Sequence, residues 1–141
     1  RILENRNKIS EVVCMVQKEV AERISAGPGS KTYGILSVLL QAYFTIEFLF
    51  KVSPAVFYPR PKVNSAVIRL SRNEVSQLAC NENLFVQIVK TCFNQRRKTI
   101  KNSIRKISGD ITIESDLIHK RPEQLSVDQF VELTRITGIR M

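Results

Sequence analysis

Two strand-like runs of the chain are separated by a connector that carries three of its five prolines. Residues 44–52 alternate apolar and mixed side chains, and residues 63–70 form a second run that contains β-branched residues. Pro54, Pro59 and Pro61 fix the backbone dihedral φ and remove backbone donors, so the connector cannot pair as a central strand. The sequence therefore predicts two strands that are close enough to be antiparallel neighbours, joined by a stiff and extended loop.

The loop holds an aromatic residue, Phe57, which is followed closely by Arg60 and Lys62. A large ring on a preorganised loop beside two cations is suited to stacking on a flat base attached to a phosphate chain. A ring that packs into the core is the more ordinary outcome for a Phe. The residues by themselves leave both interpretations of Phe57 open and favour the buried ring.

The chain is strongly basic, with a formal net charge of +9 and an isoelectric point near 9.8. Such a balance points to an acidic partner, nucleic acid first and an anionic membrane surface second. The hydrophobic content of 43% is enough for a packed core. No uninterrupted apolar run reaches membrane-spanning length, so we expect no membrane segment.

The three cysteines of the chain are widely spaced along the sequence. Cys14, Cys80 and Cys92 have only His119 as a possible companion, and a metal site needs closer ligand spacing. We therefore expect no metal site. Reduced thiols are typical of a cytosolic protein, and the sequence predicts three free cysteines that are buried or nearly so.

The first part of the chain alternates between strand and helix patterns. The apolar run at residues 12–16 is typical of a strand that is buried on both faces. A helix follows it and is stopped by the Gly-Pro-Gly at residues 27–29, and a second helix, apolar nearly all round, covers residues 35–40. With the two runs beside the proline loop this gives three strands, which are few for a sheet that must cover such a helix. Residues 1–72 are therefore predicted to be half of a larger α/β domain.

The periodicity of the second part is helical. A polar stretch around residues 71–83 predicts a linker. Beyond it, apolar residues at helical spacing run from Phe85 to Ile107, and Gly109 is predicted to end the pattern.

A last helix is indicated by a capping box. Ser126 and Gln129 have the spacing at which each side chain can accept a hydrogen bond from the backbone amide of the other residue. Gly138 is expected just past the end of the helix. Residues 73–141 are therefore predicted to form a small all-helical domain.

Between Lys90 and Lys106 the chain carries seven basic residues and no acidic one. Arg97, Lys101 and Arg105 are four residues apart, so one helix would place them in a single stripe. Like charges at that spacing repel by roughly 0.2–0.5 kcal/mol per pair. A stripe without an acidic partner is better explained by an external polyanion such as nucleic acid, with a solvated basic face as the alternative.

Four segments, taken together, resemble the ribosomal RNA adenine dimethyltransferases. The resemblance runs in order, at matching spacing and over nearly the whole chain. It implies that a longer parent uses S-adenosylmethionine to place two methyl groups on the exocyclic amine of each of two adjacent adenosines near the 3′ end of small-subunit rRNA. The segments are residues 17–23 (QKEVAER), 31–38 (KTYGILSV), 57–67 (FYPRPKVNSAV) and 93–103 (FNQRRKTIKNS).

The fold class implied by the resemblance is α/β plus all-α. It is the C-terminal half of a Rossmann-like methyltransferase sheet, with about three strands, followed by a small helical domain that binds rRNA. The predicted strands at residues 10–17, 44–52 and 63–70 would be the last three of a seven-stranded sheet, with the final one antiparallel.

The resemblance also implies roles for individual residues. Phe57 matches the family's aromatic residue that stacks on the target adenine, a base that must leave the stack before its amine can react. The residues expected to flank that pocket are Tyr58, Arg60 and Lys62. The residues expected to contact rRNA phosphates are Arg96, Arg97, Lys98, Lys101 and Arg105.

The family's donor-binding motifs all precede the stretch that this chain matches. They are a Gly-rich turn, an acidic residue that holds the ribose and an Asn-Leu-Pro-Tyr loop. The chain starts at Arg1 without an initiator Met, so we expect a C-terminal fragment with no complete S-adenosylmethionine site. We expect this fragment to be catalytically inert by itself, whereas its parent would act in the cytoplasm on the rRNA of the pre-ribosomal small subunit.

Two other functions share these features. The methylases that modify large-subunit rRNA and confer macrolide resistance share the stretch around Phe57, although residues 33–38 and 95–98 match the small-subunit enzymes better. A non-catalytic rRNA-binding module for ribosome assembly is an alternative of a different class, because docking needs only the helical part.

Overall fold

The computed structural model describes residues 1–140 of the chain. In this part of the chain three β-strands form one sheet, accompanied by five α-helices and short 3₁₀ turns. None of these helices has the length and apolar character that crossing a membrane requires. The strands are β1 (Glu11–Gln17), β2 (Phe44–Val52) and β3 (Ser65–Arg72). The helices are α1 (Lys18–Ser25), α2 (Ile35–Gln41), α3 (Glu82–Asn94), α4 (Ile100–Ser108) and α5 (Val127–Arg140).

The last strand of the sheet lies in its centre. β3 pairs with β1 on one side and β2 on the other, and it runs antiparallel to both. At the middle of the sheet Ile68 faces Cys14 of β1 and Phe48 of β2. The prediction that the strands beside the proline loop are antiparallel neighbours is confirmed. The final strand is also the antiparallel one, as the family resemblance implies.

Helices cover only one face of this sheet. The buried residues of β3, Ala66, Ile68 and Leu70, alternate with half-buried ones. On β1 the side chains of Val13 and Met15 are 55% and 49% exposed. The prediction that this strand is buried on both faces is therefore wrong for the described residues, because α1 and α2 pack on one face and nothing within residues 1–140 covers the other.

The long helical pattern of the second part is divided in two. α3 ends at Asn94 and α4 begins at Ile100, so the prediction of one continuous pattern is wrong. The amide of Ile100 donates a hydrogen bond of 2.8 Å to the carbonyl oxygen of Lys120, and this tertiary contact fixes the start of a new helix. Gly109, with a positive φ of 68°, ends α4 as predicted.

The last helix is capped as predicted. The amide of Ser126 donates to Oε1 of Gln129 at 2.9 Å, and the amide of Gln129 donates to Oγ of Ser126 at 3.2 Å. The prediction that Gly138 lies past the end of this helix is wrong, since α5 continues to Arg140. A Cβ atom on Gly138 would lie 3.5 Å from Leu84, so this residue marks the place where α5 faces α3.

The two predicted parts of the chain share one cluster of buried apolar residues. The hydroxyl of Tyr33 donates to the carbonyl oxygen of Leu125 at 2.7 Å. The ring of Phe93 lies between those of Tyr33 and Phe130, with centroid distances of 5.8 and 5.7 Å. Packing is therefore continuous across the predicted domain boundary at residues 72 and 73, and that boundary stays a prediction.

Candidate nucleic-acid interface

The proline loop, residues 53–64, is held by local hydrogen bonds as well as by its prolines. It opens with the 3₁₀ turn Pro54–Val56, in which Oγ of Ser53 accepts from the amide of Ala55 at 3.2 Å. The amide of Phe57 then donates to the carbonyl oxygen of Pro54 at 3.2 Å. These bonds close the turn immediately before the aromatic residue, so the backbone that carries Phe57 starts from a defined position.

The two aromatic residues of the loop differ in exposure. Phe57 is half-buried and is neither part of the buried cluster nor packed against it. Tyr58 is fully exposed, at 102% of the reference accessibility. The backbone dihedrals of Phe57 are φ −105° and ψ 149°, and residues 57–59 form a bend. The ring of Phe57 is therefore not sealed in the core, and its role as a stacking residue stays a prediction.

The loop lies in a stretch of the chain without acidic residues. Residues 48–73 contain five cations and no Asp or Glu. Arg69 pairs with two carboxylates of the neighbouring strands, and Arg72 donates to two backbone carbonyl oxygens. The other three cations are exposed and form no ion pair within residues 1–140: Lys51, Arg60 and Lys62. The predicted flanking cations are thus available to a ligand.

The end of the loop borders a polar cavity of about 350 Å³. The backbone joins its two walls, because the amide of Lys18 at the start of α1 donates to the carbonyl oxygen of Asn64 at 2.9 Å. The side chain of Lys62 is part of its lining, together with amide and carboxylate groups. The lining residues are Gln17, Lys18, Glu19, Glu22, Lys62, Val63 and Asn64.

The basic stretch does not form the predicted stripe. Arg97 lies in the turn between α3 and α4, and only Lys101 and Arg105 lie on α4. The prediction of three cations on one helix face is therefore wrong, because it assumed one continuous helix. Arg97, Lys98 and Lys101 are exposed and form no ion pair within the described part of the chain.

Two residues of the basic stretch have partners in the protein. Arg105 pairs with Asp110 at 2.6 Å, so the expectation that the stretch lacks an acidic partner is wrong for this residue. Both side chains of that pair are exposed, and such a pair contributes little to stability. Arg96 is half-buried, and its Nη2 donates to the carbonyl oxygens of Ser30 and Lys31 at 3.2 and 2.9 Å.

The fold brings together a basic cleft that sequence reasoning missed. A cavity of about 330 Å³ lies where α1, the loop before α2 and the turn after α3 meet. Arg23, Lys31 and Arg96 supply three cations to it, and Phe93 supplies an aromatic edge. Arg23 and Lys31 lie within two of the segments that carry the family resemblance, and this position was the only signal for them in the sequence.

A polar cluster outside the loop joins the sheet to α3. Glu82 accepts from the hydroxyl of Tyr43 at 2.7 Å, from Nη2 of Arg6 at 2.9 Å and from the amide of Leu78 at 3.1 Å. Partial burial alone would raise the pKa of Glu82, but these hydrogen bonds outweigh it and lower that pKa. Burial and the neighbouring Glu82 raise the pKa of Tyr43 well above its usual value, so its hydroxyl stays protonated. The cluster therefore holds segments together and has no free acid or base.

The described part of the chain contains no cluster of residues suited to bind a metal ion, and its buried cysteine is not suited to act as a nucleophile. No group of three or more His, Cys, Asp and Glu side chains that suits a metal ion lies within residues 1–140. The three cysteines are free, with Cys14 and Cys80 half-buried and Cys92 buried. Burial raises the pKa of the Cys92 thiol to about 12, so it is not a nucleophile at neutral pH.

Comparison with known proteins gives one consistent result. The family described as "Ribosomal RNA adenine dimethylase" matches residues 1–137. A relative from Bacteroides thetaiotaomicron, "Ribosomal RNA small subunit methyltransferase A", is 60% identical over 136 residues, which are 95% of this chain and 51% of that protein. The protein of the same name from Flavobacterium johnsoniae is 53% identical, over 96% of this chain and 52% of its own length. The chain thus spans about half the length of the curated relatives it matches.

Two solved structures share the fold. A dimethyladenosine transferase from Plasmodium falciparum superposes with a TM-score of 0.78 at 22% identity, over 94% of this chain and 58% of that one. The 23S rRNA methyltransferase ErmE superposes with a TM-score of 0.56 at 24% identity, over 89% and 55%. At these identities the likeness concerns the fold alone.

Proposed function

The chain belongs to the ribosomal RNA adenine dimethylase family, and from this membership we propose that it is the RNA-facing part of an enzyme that dimethylates two adjacent adenosines of small-subunit rRNA. The observation that carries the proposal is the 60% identity, over 95% of this chain, to a protein named as a small-subunit rRNA methyltransferase. The proposed partner is the rRNA of the pre-ribosomal small subunit, in the cytoplasm.

The proline loop is proposed to hold the target base. An adenine amine inside a duplex cannot reach a methyl donor, so the base must leave the stack and find a new stacking partner. Phe57 is the proposed partner because its ring is half-buried, lies outside the core cluster and is carried by a stiff backbone. Arg60 and Lys62 are proposed to bind the phosphates on either side of that base.

The basic surface of the helical part is proposed to bind the rRNA backbone. Arg97, Lys98 and Lys101 are exposed cations without a partner among residues 1–140, so they can neutralise phosphates at no cost in internal ion pairs. Arg105 can exchange its exposed pair with Asp110 for a phosphate. The cleft lined by Arg23 and Arg96 extends this surface towards the sheet.

S-adenosylmethionine is the methyl donor that the family implies, and it supplies an electrophilic methyl group on a sulfonium. The described residues do not fit this group. Its usual site needs a glycine-rich turn between a strand and a helix, but β1 passes directly from Gln17 into α1 at Lys18. We therefore propose that donor binding depends on other residues of the parent and that residues 1–140 by themselves transfer no methyl group.

The experiment that tests the proposed function uses the full-length protein that contains this chain. Small-subunit particles that lack the modification are incubated with the protein and S-adenosylmethionine, and the rRNA is examined by primer extension and mass spectrometry. Two adjacent dimethyladenosines near the 3′ end of small-subunit rRNA are expected. Modification of large-subunit rRNA instead would assign the chain to the macrolide-resistance type, and binding to particles without any methyl transfer would leave a non-catalytic assembly role.

A further inference from the structure

We infer that Tyr58 is a second stacking platform, which binds a nucleobase other than the one proposed for Phe57. The inference rests on the proposed function and adds to it a position for a neighbouring nucleotide of the rRNA. It starts from a contrast among the three tyrosines of the chain. Tyr33 and Tyr43 are 0% and 6% exposed and their hydroxyls donate hydrogen bonds, whereas Tyr58 is fully exposed. An aromatic side chain in that position has both ring faces available to a ligand.

The two aromatic rings of the loop lie in different surroundings. Phe57 is half-buried and Tyr58 is fully exposed, and both belong to the bend at residues 57–59. A base that stacks on the half-buried ring leaves the exposed ring open, so a continuous RNA strand would place a different base on Tyr58.

The surroundings of Tyr58 suit a nucleotide. Two further apolar side chains of the loop, Val56 and Val63, are 69% and 48% exposed, and they give the base and ribose an apolar border. Arg60 and Lys62 are exposed on the same loop and no acidic residue occurs in residues 48–73. Tyr and Arg also occur at protein interfaces, but Lys is depleted there, and unpaired cations beside a stacking ring are the usual arrangement for single-stranded nucleic acid. The chemistry thus favours RNA over a protein partner.

The platform is also held in place before any ligand binds. Pro59 and Pro61 follow Tyr58 closely, and the turn Pro54–Val56 with its Ser53 cap precedes it. A segment with fixed φ angles loses little conformational entropy when it binds, so more of the stacking energy appears as affinity.

The first experiment measures binding of the 141-residue chain to an RNA hairpin whose loop contains two adjacent unpaired adenosines. Stacking on one base is worth roughly a fivefold to hundredfold change in affinity, so Tyr58→Leu, which removes the ring, should weaken binding by that factor. Tyr58→Phe keeps the ring and should bind within about twofold of the unsubstituted chain. Ile139→Ala, which alters an exposed apolar residue on α5, is the control and should leave the affinity unchanged.

The second experiment locates the base. The chain has no Trp, so Tyr58→Trp and Phe57→Trp each introduce a single Trp, whose emission can be excited selectively and is quenched by a stacked base. Replacing one loop nucleotide at a time by an abasic site should abolish the quenching of each Trp at a different position. Abolition at the same position for both would overturn the inference, because one base would then serve both rings.

The outcomes separate this inference from the proposed function. If the unsubstituted chain binds the hairpin and Tyr58→Leu binds equally well, stacking by Tyr58 is excluded while the proposed function stands. If the unsubstituted chain has no measurable affinity for the hairpin even at low salt, the proposed rRNA-binding role and the inference fail together.

Discussion

The hydroxyl of Tyr33 donates a hydrogen bond of 2.7 Å to the carbonyl oxygen of Leu125, a residue that lies 92 positions further along the chain. The bond is buried, and burial raises the pKa of Tyr33 to about 12, so the donor keeps its proton at every physiological pH. It connects the segment before α2 to the segment that leads into α5. The bond therefore links the part of the chain before residue 72 directly to the part after it.

Replacing Tyr33 by Phe is expected to destabilise the chain by about 1–3 kcal/mol, because the carbonyl oxygen of Leu125 would stay buried without a donor. The measurement is the free energy of unfolding in urea. Tyr58→Phe is the control, since it removes a hydroxyl that is in water and should leave stability unchanged. Equal stability of Tyr33→Phe and the unsubstituted chain would mean that the two parts do not depend on this bond.

Glu82→Gln is expected to destabilise the chain by about 2 kcal/mol at pH 7, since the hydrogen bonds from Tyr43 and Leu78 lose their charged acceptor and the ion pair with Arg6 is lost. The pKa of Glu82 is lower in the folded state than in the unfolded chain, so its contribution is present above the unfolded pKa and is lost as the pH falls through the folded one. The difference between the two proteins should therefore shrink between neutral and strongly acidic pH. Urea unfolding at a series of pH values measures it, and a constant difference would contradict the role given to the Glu82 charge.

Replacing Arg97, Lys98 and Lys101 together by Ala is expected to lower the salt dependence of RNA binding. Each lost phosphate contact on a single strand removes about 0.7 from the slope of log K against log salt, so the triple variant should lose about 2. Arg135→Ala is the control, because Arg135 is an exposed cation on α5 that already pairs with Glu132. An unchanged slope in the triple variant would show that this surface does not contact RNA.

Phe57→Ala in the full-length protein is expected to reduce methyl transfer by roughly tenfold or more, because the flipped adenine would lose its stacking partner. Binding to small-subunit particles should change little, since most of that affinity comes from the cations. Stability should stay within about 1 kcal/mol, because the ring lies outside the core cluster. Equal losses of turnover and particle binding would mean that Phe57 has a structural role instead.

The sequence was most informative where the signal is local. The prolines around the loop predicted the antiparallel pair on either side of it, and Ser126 with Gln129 predicted the start of α5, because each of these patterns depends on residues that are neighbours in the chain.

Distant contacts decided the points at which the sequence-based expectations were wrong. The spacing of apolar residues continues across residues 95–99, so periodicity cannot reveal the break that the bond from Ile100 to Lys120 fixes. An apolar run such as residues 12–16 does not tell which neighbours cover its two faces. The basic cleft was missed because Arg23 and Arg96 come together only in the folded chain.

The contact made by Arg96 has a consequence for how freely its surroundings can change. The guanidinium binds the carbonyl oxygens of Ser30 and Lys31, which every amino acid provides. Substitutions at residues 30 and 31 should therefore leave this contact intact, whereas exchange of Arg96 for Lys would give up the planar guanidinium that reaches both acceptors. This contact therefore constrains the side chain of its donor and not the side chains of its two acceptor residues.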